Sequence, residues 1–186
     1  MSRWHARLAE LRGDALGPSA HVQNVQIVRR PSPVPPFEPF EQIEQPCAPD
    51  AWTDAQEERA AIVEHDGGVP RDWAEGFARL DPTRPPEPVS LKRWWRFIDD
   101  CGRFLDGGWA QRADALGWGP LHLFGCDRKR PFARLDHRGL LWEVNGGRLI
   151  VLYRDGAIIE TPRGDRLRYR RRRPEVGQVV LAWKLS

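Results

Sequence analysis

The residues whose types and spacing best suit ligand binding are arginines near the C-terminal end of the chain. The stretch RLRYRRRR, residues 166–173, places six arginines in eight positions. Alternate side chains of a β-strand lie on one face about 6.6 Å apart, so a strand here would carry one basic row. The row would contain Arg166, Arg168, Arg170 and Arg172. Leu167 and Tyr169 would face the core, and the guanidinium groups could follow a phosphate backbone.

The same arginines have a second explanation, a charged edge strand that is protected from pairing with other chains. Both hypotheses stay open at the level of sequence. No helix-turn-helix, zinc-finger or single-strand-binding signature accompanies the run, so base-specific recognition is not predicted. The basic turn at 128–130 could extend the patch if the sheet approaches it. The candidate nucleic-acid-binding residues are Arg128, Lys129, Arg130, Arg166, Arg168, Arg170, Arg171, Arg172 and Arg173.

A metal site is the next candidate. His122 and Cys126 have the spacing His-x3-Cys, and His137 follows eleven residues later, so a tetrahedral site with Asp127 or Asp136 is conceivable. Structural zinc sites usually contain paired ligands such as Cys-x2-Cys, which this segment lacks. The alternative is a buried cysteine with two surface histidines, and we predict no metal or other cofactor.

Catalytic groups are harder to find. Asp99 and Asp100 are adjacent on a predicted helix, where their side chains point about 100° apart, and Asp106 adds little. Solvation of the helix explains all three, and metal-dependent hydrolysis is the competing hypothesis. Cys101 lies on an apolar stripe, where a buried thiol is expected. No serine stands in a nucleophile elbow and no phosphate-binding loop is present, so no catalytic residue is predicted.

Helical periodicity predicts most elements before residue 117. Residues 3–12 form a short amphipathic helix, and residues 53–82 form a helical hairpin capped by Thr53 and divided at Gly67 and Gly68. Residues 91–116 form two helices broken at a second glycine pair. The apolar stripe of the first contains Leu91, Trp94, Ile98, Cys101 and Leu105.

The hydrophobic period changes from helical to alternating at Phe132. The runs after this point predict an antiparallel meander of four or five strands, the first over residues 132–144, which could curl into a partly open barrel. Helices followed by strands predict an α+β fold in which 91–116 pack on the sheet. The predicted core contains Trp94, Ile98, Leu105, Trp142, Leu149 and Val151.

These elements divide the chain into four segments. Residues 1–28 hold the N-terminal helix and an extended stretch, and the proline-rich residues 29–52 form a linker. Phe37, Phe40 and Ile43 within that linker either lie loosely on the domain or form a short docking motif. Residues 53–82 are the hairpin, and residues 90–186 are the α+β core with its basic sheet.

The segments ERAAIVEHDGGVPRDWAEGFARL and RFIDDCGRFLDGGWAQRADALGWGPLHLFGCDRKRPFARLDHRGLLWEVNGGRLIVL carry a resemblance. Together they resemble a group of alphaproteobacterial proteins without an assigned activity, whose genes lie near phage-like replication and recombination genes. The resemblance covers residues 55–185. It implies a mobile-element setting, and it brings no catalytic residues with it.

Charge and cysteine content bound the function further. Residues 1–126 hold 14 Lys and Arg against 19 Asp and Glu, whereas residues 127–186 hold 15 against 7. An acidic N-terminal part followed by a basic C-terminal part suggests a polyanion partner. Three widely spaced cysteines and the lack of a signal peptide or membrane span predict a cytoplasmic protein. The nine tryptophans could anchor a core or an interface.

We therefore expect a non-enzymatic accessory protein of a mobile genetic element. Its basic strand would contact DNA or RNA without sequence specificity, and its acidic helical half would meet a protein partner. One alternative is a pure protein-protein interaction or inhibitor module whose arginines bind an acidic surface. The second alternative is a metal-dependent hydrolase.

Overall fold

The computed structural model describes residues 51–132, 137–172 and 181–186. The predicted N-terminal helix, the proline-rich linker before residue 51, and Cys47 lie outside the described residues, as do Asp136 and Arg173. The described part contains five α-helices followed by a four-stranded antiparallel sheet that is not closed. This arrangement is the predicted α+β fold.

The first two helices form the predicted hairpin. Helix α1, Asp54–Gly67, begins with a capping box in which Thr53 and Gln56 each accept a hydrogen bond from the other's backbone N–H. It ends at Gly68, whose φ of 58° lies in the left-handed region that favours glycine. Helix α2, Arg71–Ala78, then begins after Pro70. The sequence signals for capping and chain reversal therefore act as predicted.

Three further helices complete the helical part. Helix α3, Leu91–Asp106, begins at the Ser90 cap, whose side chain accepts a hydrogen bond from the backbone N–H of Arg93. Helix α4, Trp109–Ala115, follows the second glycine pair, and the short α5, Pro120–Leu123, comes next. The placement of Leu91 on the buried stripe is wrong, since its side chain is 45% exposed. Leu91 is the first residue of the helix. Its side chain points past the end of the helix and away from the core, because side chains tilt toward a helix's N-terminus.

The strand predicted over residues 132–144 is also wrong. Its described part contains a 3₁₀ helix, Leu140–Glu143. Leu140 and Leu141 are both buried although they are neighbours, which a strand covered on one face would not allow. A Cβ on Gly139 would lie 2.1 Å from the carbonyl oxygen of Leu123, so this segment crosses α5 with the two backbones in contact.

The sheet is a meander in the order β1-β2-β3-β4. Its strands are β1, Arg148–Leu152, β2, Gly156–Glu160, β3, Arg166–Arg171, and β4, Trp183–Leu185. All neighbours are antiparallel, and the β1-β2 register shifts between Leu149 and Val151. The arginine-rich β3 therefore lies between two partners, and its interpretation as an edge strand is wrong.

One hydrophobic cluster contains residues from the hairpin, from α3 to α5 and from the sheet. Trp94, Ile98 and Leu105 are buried as predicted, with exposed fractions of 2%, 2% and 3%. Trp142 and Leu149 are partly buried against the cluster, and Val151 is half-buried. Trp73, Phe104 and Phe124 form an aromatic group within the cluster, with ring centroids 5.3 to 5.9 Å apart.

Candidate nucleic-acid interface

Strand β3 separates its side chains between two faces as the alternation predicts. Arg166, Arg168 and Arg170 are exposed, Leu167 is half-buried, and Tyr169 is buried and stacks edge-on against Trp183. Burial of the apolar residues fixes the register, because a shift of one position would place arginines in the core. The exposed arginines therefore have fixed positions on the outer face of the sheet.

Cross-strand neighbours extend this outer face on both sides of β3. Arg168 lies opposite Ile158 of β2, and Arg170 lies between Gly156 of β2 and Lys184 of β4. Directly paired residues share a face, so Lys184 adds a third cation beside Arg168 and Arg170. We name these three residues, Arg168, Arg170 and Lys184, the basic row.

The outer face is only partly neutralised by its own acids. At one end, Glu160 pairs with Arg148 at 2.7 Å and with Arg166 at 3.5 Å. Within the described residues, the basic row forms no ion pair. Residues 148–172 and 181–186 hold nine Lys and Arg and three Asp and Glu, a net charge of +6. The end of the face with the basic row therefore carries the positive charge that a polyanion could neutralise.

Arg171 does not belong to the basic row, although the sequence grouped it with the candidates. Its Nη2 donates a hydrogen bond of 2.7 Å to the carbonyl of Gly117, and its guanidinium lies over the Trp118 ring at 4.6 Å. It also lies 3.2 Å from His122 Nε2. These contacts join the inner side of β3 to the loop between α4 and α5. The adjacent Arg172 is exposed, and its backbone N–H donates to the Ala182 carbonyl.

The basic turn at 128–130 has its own acidic partners. Arg128 Nη1 contacts Glu57 at 3.1 Å and Glu75 at 2.5 Å, and its guanidinium lies over the Trp52 ring. Arg130 pairs with Asp127 at 2.6 Å, whereas Lys129 is exposed. Arg128 therefore fastens this turn to the α1-α2 hairpin and does not extend the basic row.

The same hairpin acids bind a second arginine. Arg71 contacts Glu57, Glu64 at 2.9 Å and Glu75 at 2.9 Å. These three acids raise the pKa of Arg71, chiefly because the guanidinium donates a hydrogen bond to Glu64. The excess negative charge of residues 1–126 is thus partly neutralised by ion pairs within the fold. This reduces the area of acidic surface that is available to a protein partner.

The three candidate metal ligands have separate environments. Cys126 is fully buried, its Sγ donates to the Gly76 carbonyl at 3.2 Å, and burial raises its pKa. His122 accepts from the backbone N–H of Gly119 at 3.0 Å, while burial and the nearby Arg171 lower its pKa. His137 is exposed. Among the residues that the structure describes, no three His, Cys, Asp or Glu side chains form a group that could hold a metal ion.

The carboxylates of α3 also differ from expectation. Asp100 is not solvated: its side chain is fully buried, accepts from the backbone N–H of Gly146 at 2.9 Å, and pairs with Arg103. Burial raises the pKa of Asp100. Asp99 contacts Arg103 at 3.5 Å. Asp100 therefore ties α3 to the loop before β1, a structural role that helical periodicity did not indicate.

Sequence reasoning missed two outer-face residues. Lys184 lies in the apolar run QVVLAWKL, and only the strand register shows that it is the neighbour of Arg170 on β3. Tyr153 directly follows β1 and is 39% exposed beside Gly156, whose carbonyl accepts a 2.7 Å hydrogen bond from its N–H. The turn signal Asp155-Gly156 marks the hairpin but gives no information about the face on which Tyr153 lies.

No helix among the described residues is long and apolar enough to cross a membrane. Comparisons of the chain with protein-family models, with curated proteins and with solved structures find no match.

Proposed function

We propose that the protein is a non-enzymatic nucleic-acid-binding protein that contacts phosphates through the outer face of its sheet. The observation that carries the proposal is the basic row, three cations on two hydrogen-bonded strands without an ion pair among the described residues. Edge protection no longer explains Arg168 and Arg170, because β3 is an interior strand, whereas Lys184 lies on β4 at the end of the described sheet. The cations are about 6.6 Å apart along β3 and about 4.8 Å apart across to β4, so one phosphate chain can reach all three.

Such a surface recognises charge and not sequence. Arginine presents a fork of donors to phosphate oxygens, and lysine adds a point charge. Phosphate contacts position a protein on nucleic acid but carry no base information. The accessory role in a mobile genetic element rests on the resemblance alone, and we retain it as part of the proposal.

A second candidate function is docking to a protein through α3. Leu91 and Trp95, four residues apart on one side of the helix, are 45% and 39% exposed. Apolar pairs at this spacing are typical of helices that enter a partner's groove. Lys92 and Arg96 flank the pair, so this partner would present an acidic rim around an apolar groove.

The test of the nucleic-acid proposal is fluorescence anisotropy with several labelled oligonucleotides of unrelated sequence over a range of salt concentrations. Replacing the three residues of the basic row with glutamine should lower the affinity for all the oligonucleotides by similar factors. Three lost contacts should reduce the slope of log affinity against log salt by about 2.7 for duplex DNA. Between about 50 and 200 mM salt, the wild-type protein would then lose about 40-fold more affinity than the variant.

The matched control replaces Arg84, Lys92 and Arg96, which are exposed and lie on the helical part, with glutamine. It removes the same charge and should leave the slope unchanged. If this control weakens binding as much as the basic-row variant, net charge and not the row is responsible. Wild-type protein that binds no DNA or RNA near 50 mM salt, where electrostatic binding is strong, would refute the proposal.

A further inference from the structure

We infer that the outer face takes single-stranded nucleic acid, with one base stacked on Tyr153 while the basic row holds the adjacent phosphates. The inference rests on the proposed function, and it names the form of nucleic acid that this surface prefers.

The register places Tyr153 on the same face and at the same level as two of the cations. Leu152 pairs with Ala157, so the next pair is Tyr153 opposite Gly156, joined by the hydrogen bond between them. Gly156 in turn lies opposite Arg170, and Arg170 lies opposite Lys184. Tyr153, Arg170 and Lys184 therefore form one line across four strands, interrupted only by a glycine.

Gly156 lies between Tyr153 and the cations on this line. Gly156 is buried and has no side chain, and Tyr153 and Arg170 on either side of it are two strand spacings, about 9.6 Å, apart. A Cβ at Gly156 would lie 2.3 Å from the Tyr169 carbonyl oxygen, so the fold itself requires the glycine.

The ring is exposed on a backbone that is held in place. Trp118, which is buried, donates its Nε1–H to the Tyr153 carbonyl at 2.7 Å. In the described part of the chain, the Tyr153 ring stacks on no other aromatic ring and its hydroxyl has no hydrogen-bond partner. The backbone of Tyr153 therefore loses little conformational entropy when a ligand binds, and the ring is free to contact it.

The centre of the face is apolar, which phosphate binding alone does not require. Val151 and Ile158 pair across β1 and β2 on the outer face, next to Arg168, and both are half-buried. A duplex keeps the faces of its bases stacked inside and presents phosphates and groove edges. A single strand offers base faces, and aromatic side chains beside cations are the combination that proteins use to bind it.

The experiment compares a labelled single strand with the duplex of the same sequence for wild-type protein, Tyr153→Ala and Tyr153→Phe. Wild-type protein should prefer the single strand. Loss of one stacked base should lower single-strand affinity by about 5- to 150-fold in Tyr153→Ala and leave duplex affinity unchanged. Tyr153→Phe keeps the ring and should bind as wild type. Trp95→Ala removes an equally exposed aromatic side chain from α3 and serves as the control.

The outcomes separate this inference from the function on which it rests. Equal binding of single strand and duplex, with both unchanged in Tyr153→Ala, overturns the single-strand inference and leaves phosphate binding intact. A Tyr153→Ala variant that weakens both forms equally also overturns it, because stacking cannot act on a duplex. Binding of neither form by wild-type protein near 50 mM salt overturns both proposals.

Discussion

Replacing Trp94 with alanine should remove the centre of the packing between α3 and the segments around it. The side chain is 2% exposed, and its ring lies 5.5 Å from the Phe97 ring and 5.2 Å from the Phe132 ring. Its Nε1–H donates to the Asp81 carbonyl at 2.6 Å. The substitution would leave a cavity and an unpaired carbonyl, and we expect the free energy of unfolding to fall by about 3 to 5 kcal/mol.

The neighbouring Trp95 provides a control of the same chemistry on the same helix. It is 39% exposed, and its Nε1–H also donates to a backbone carbonyl, that of Pro82, at 2.7 Å. Trp95→Ala should therefore cost about 1 kcal/mol, the usual value of one exposed hydrogen bond. Urea unfolding followed by far-ultraviolet circular dichroism gives both differences. Equal losses in the two variants would show that Trp94 is not the buried residue of the pair, and the packing argument for α3 would fail.

Two further predictions concern the contacts of α5 and its flanking residues. Gly139→Ala should lower the free energy of unfolding by about 1 to 3 kcal/mol, because the new Cβ would meet backbone atoms of Leu123. The control is Gly119→Ala, whose Cβ would meet nothing closer than 3.8 Å, and thermal melts should show it to be nearly as stable as wild type. Burial and the neighbouring Arg171 lower the pKa of His122, so below about pH 6.5 the unfolded chain binds a proton at this residue more readily than the folded protein does, and stability should decrease as the pH is lowered through that window. His122→Asn should flatten this part of the curve of melting temperature against pH, and an unchanged curve would contradict the assignment.

The parts of the fold that the sequence predicted are those determined by neighbours along the chain. The Thr53 capping box and the two glycine pairs act within a few residues, so local rules were sufficient for α1 to α4, whereas the short α5 was not predicted. The exposed and buried faces of β3 were also predictable, because alternation is a property of a single strand.

The errors came from contacts between distant residues. The apolar run around Leu140 is consistent with either a strand or a buried helical turn, and only the close passage of Gly139 over α5 decides between them. The position of β3 inside the sheet depends on its pairing with β4, which lies within the predicted β-rich run QVVLAWKL, and the sequence does not show which strand this run pairs with. The partners of Arg128 are likewise far away along the chain, at Glu57 and Glu75.

The loop between α4 and α5 links the stability of the helical part to the geometry of the outer face. Trp118 lies in the hydrophobic cluster and also fixes the backbone of Tyr153, while Gly117 accepts the hydrogen bond from Arg171 at the end of β3. Tyr153 and Arg171, the neighbour of Arg170, are thus both attached to the loop that contains the buried Trp118. A change at Trp118 that keeps most of the core filled, such as Trp118→Phe, would remove the hydrogen bond to the Tyr153 carbonyl and leave the three cations of the basic row unchanged, and Arg171 would keep an aromatic ring beneath its guanidinium. Under the single-strand inference it should therefore weaken single-strand binding while the duplex salt slope stays that of wild type.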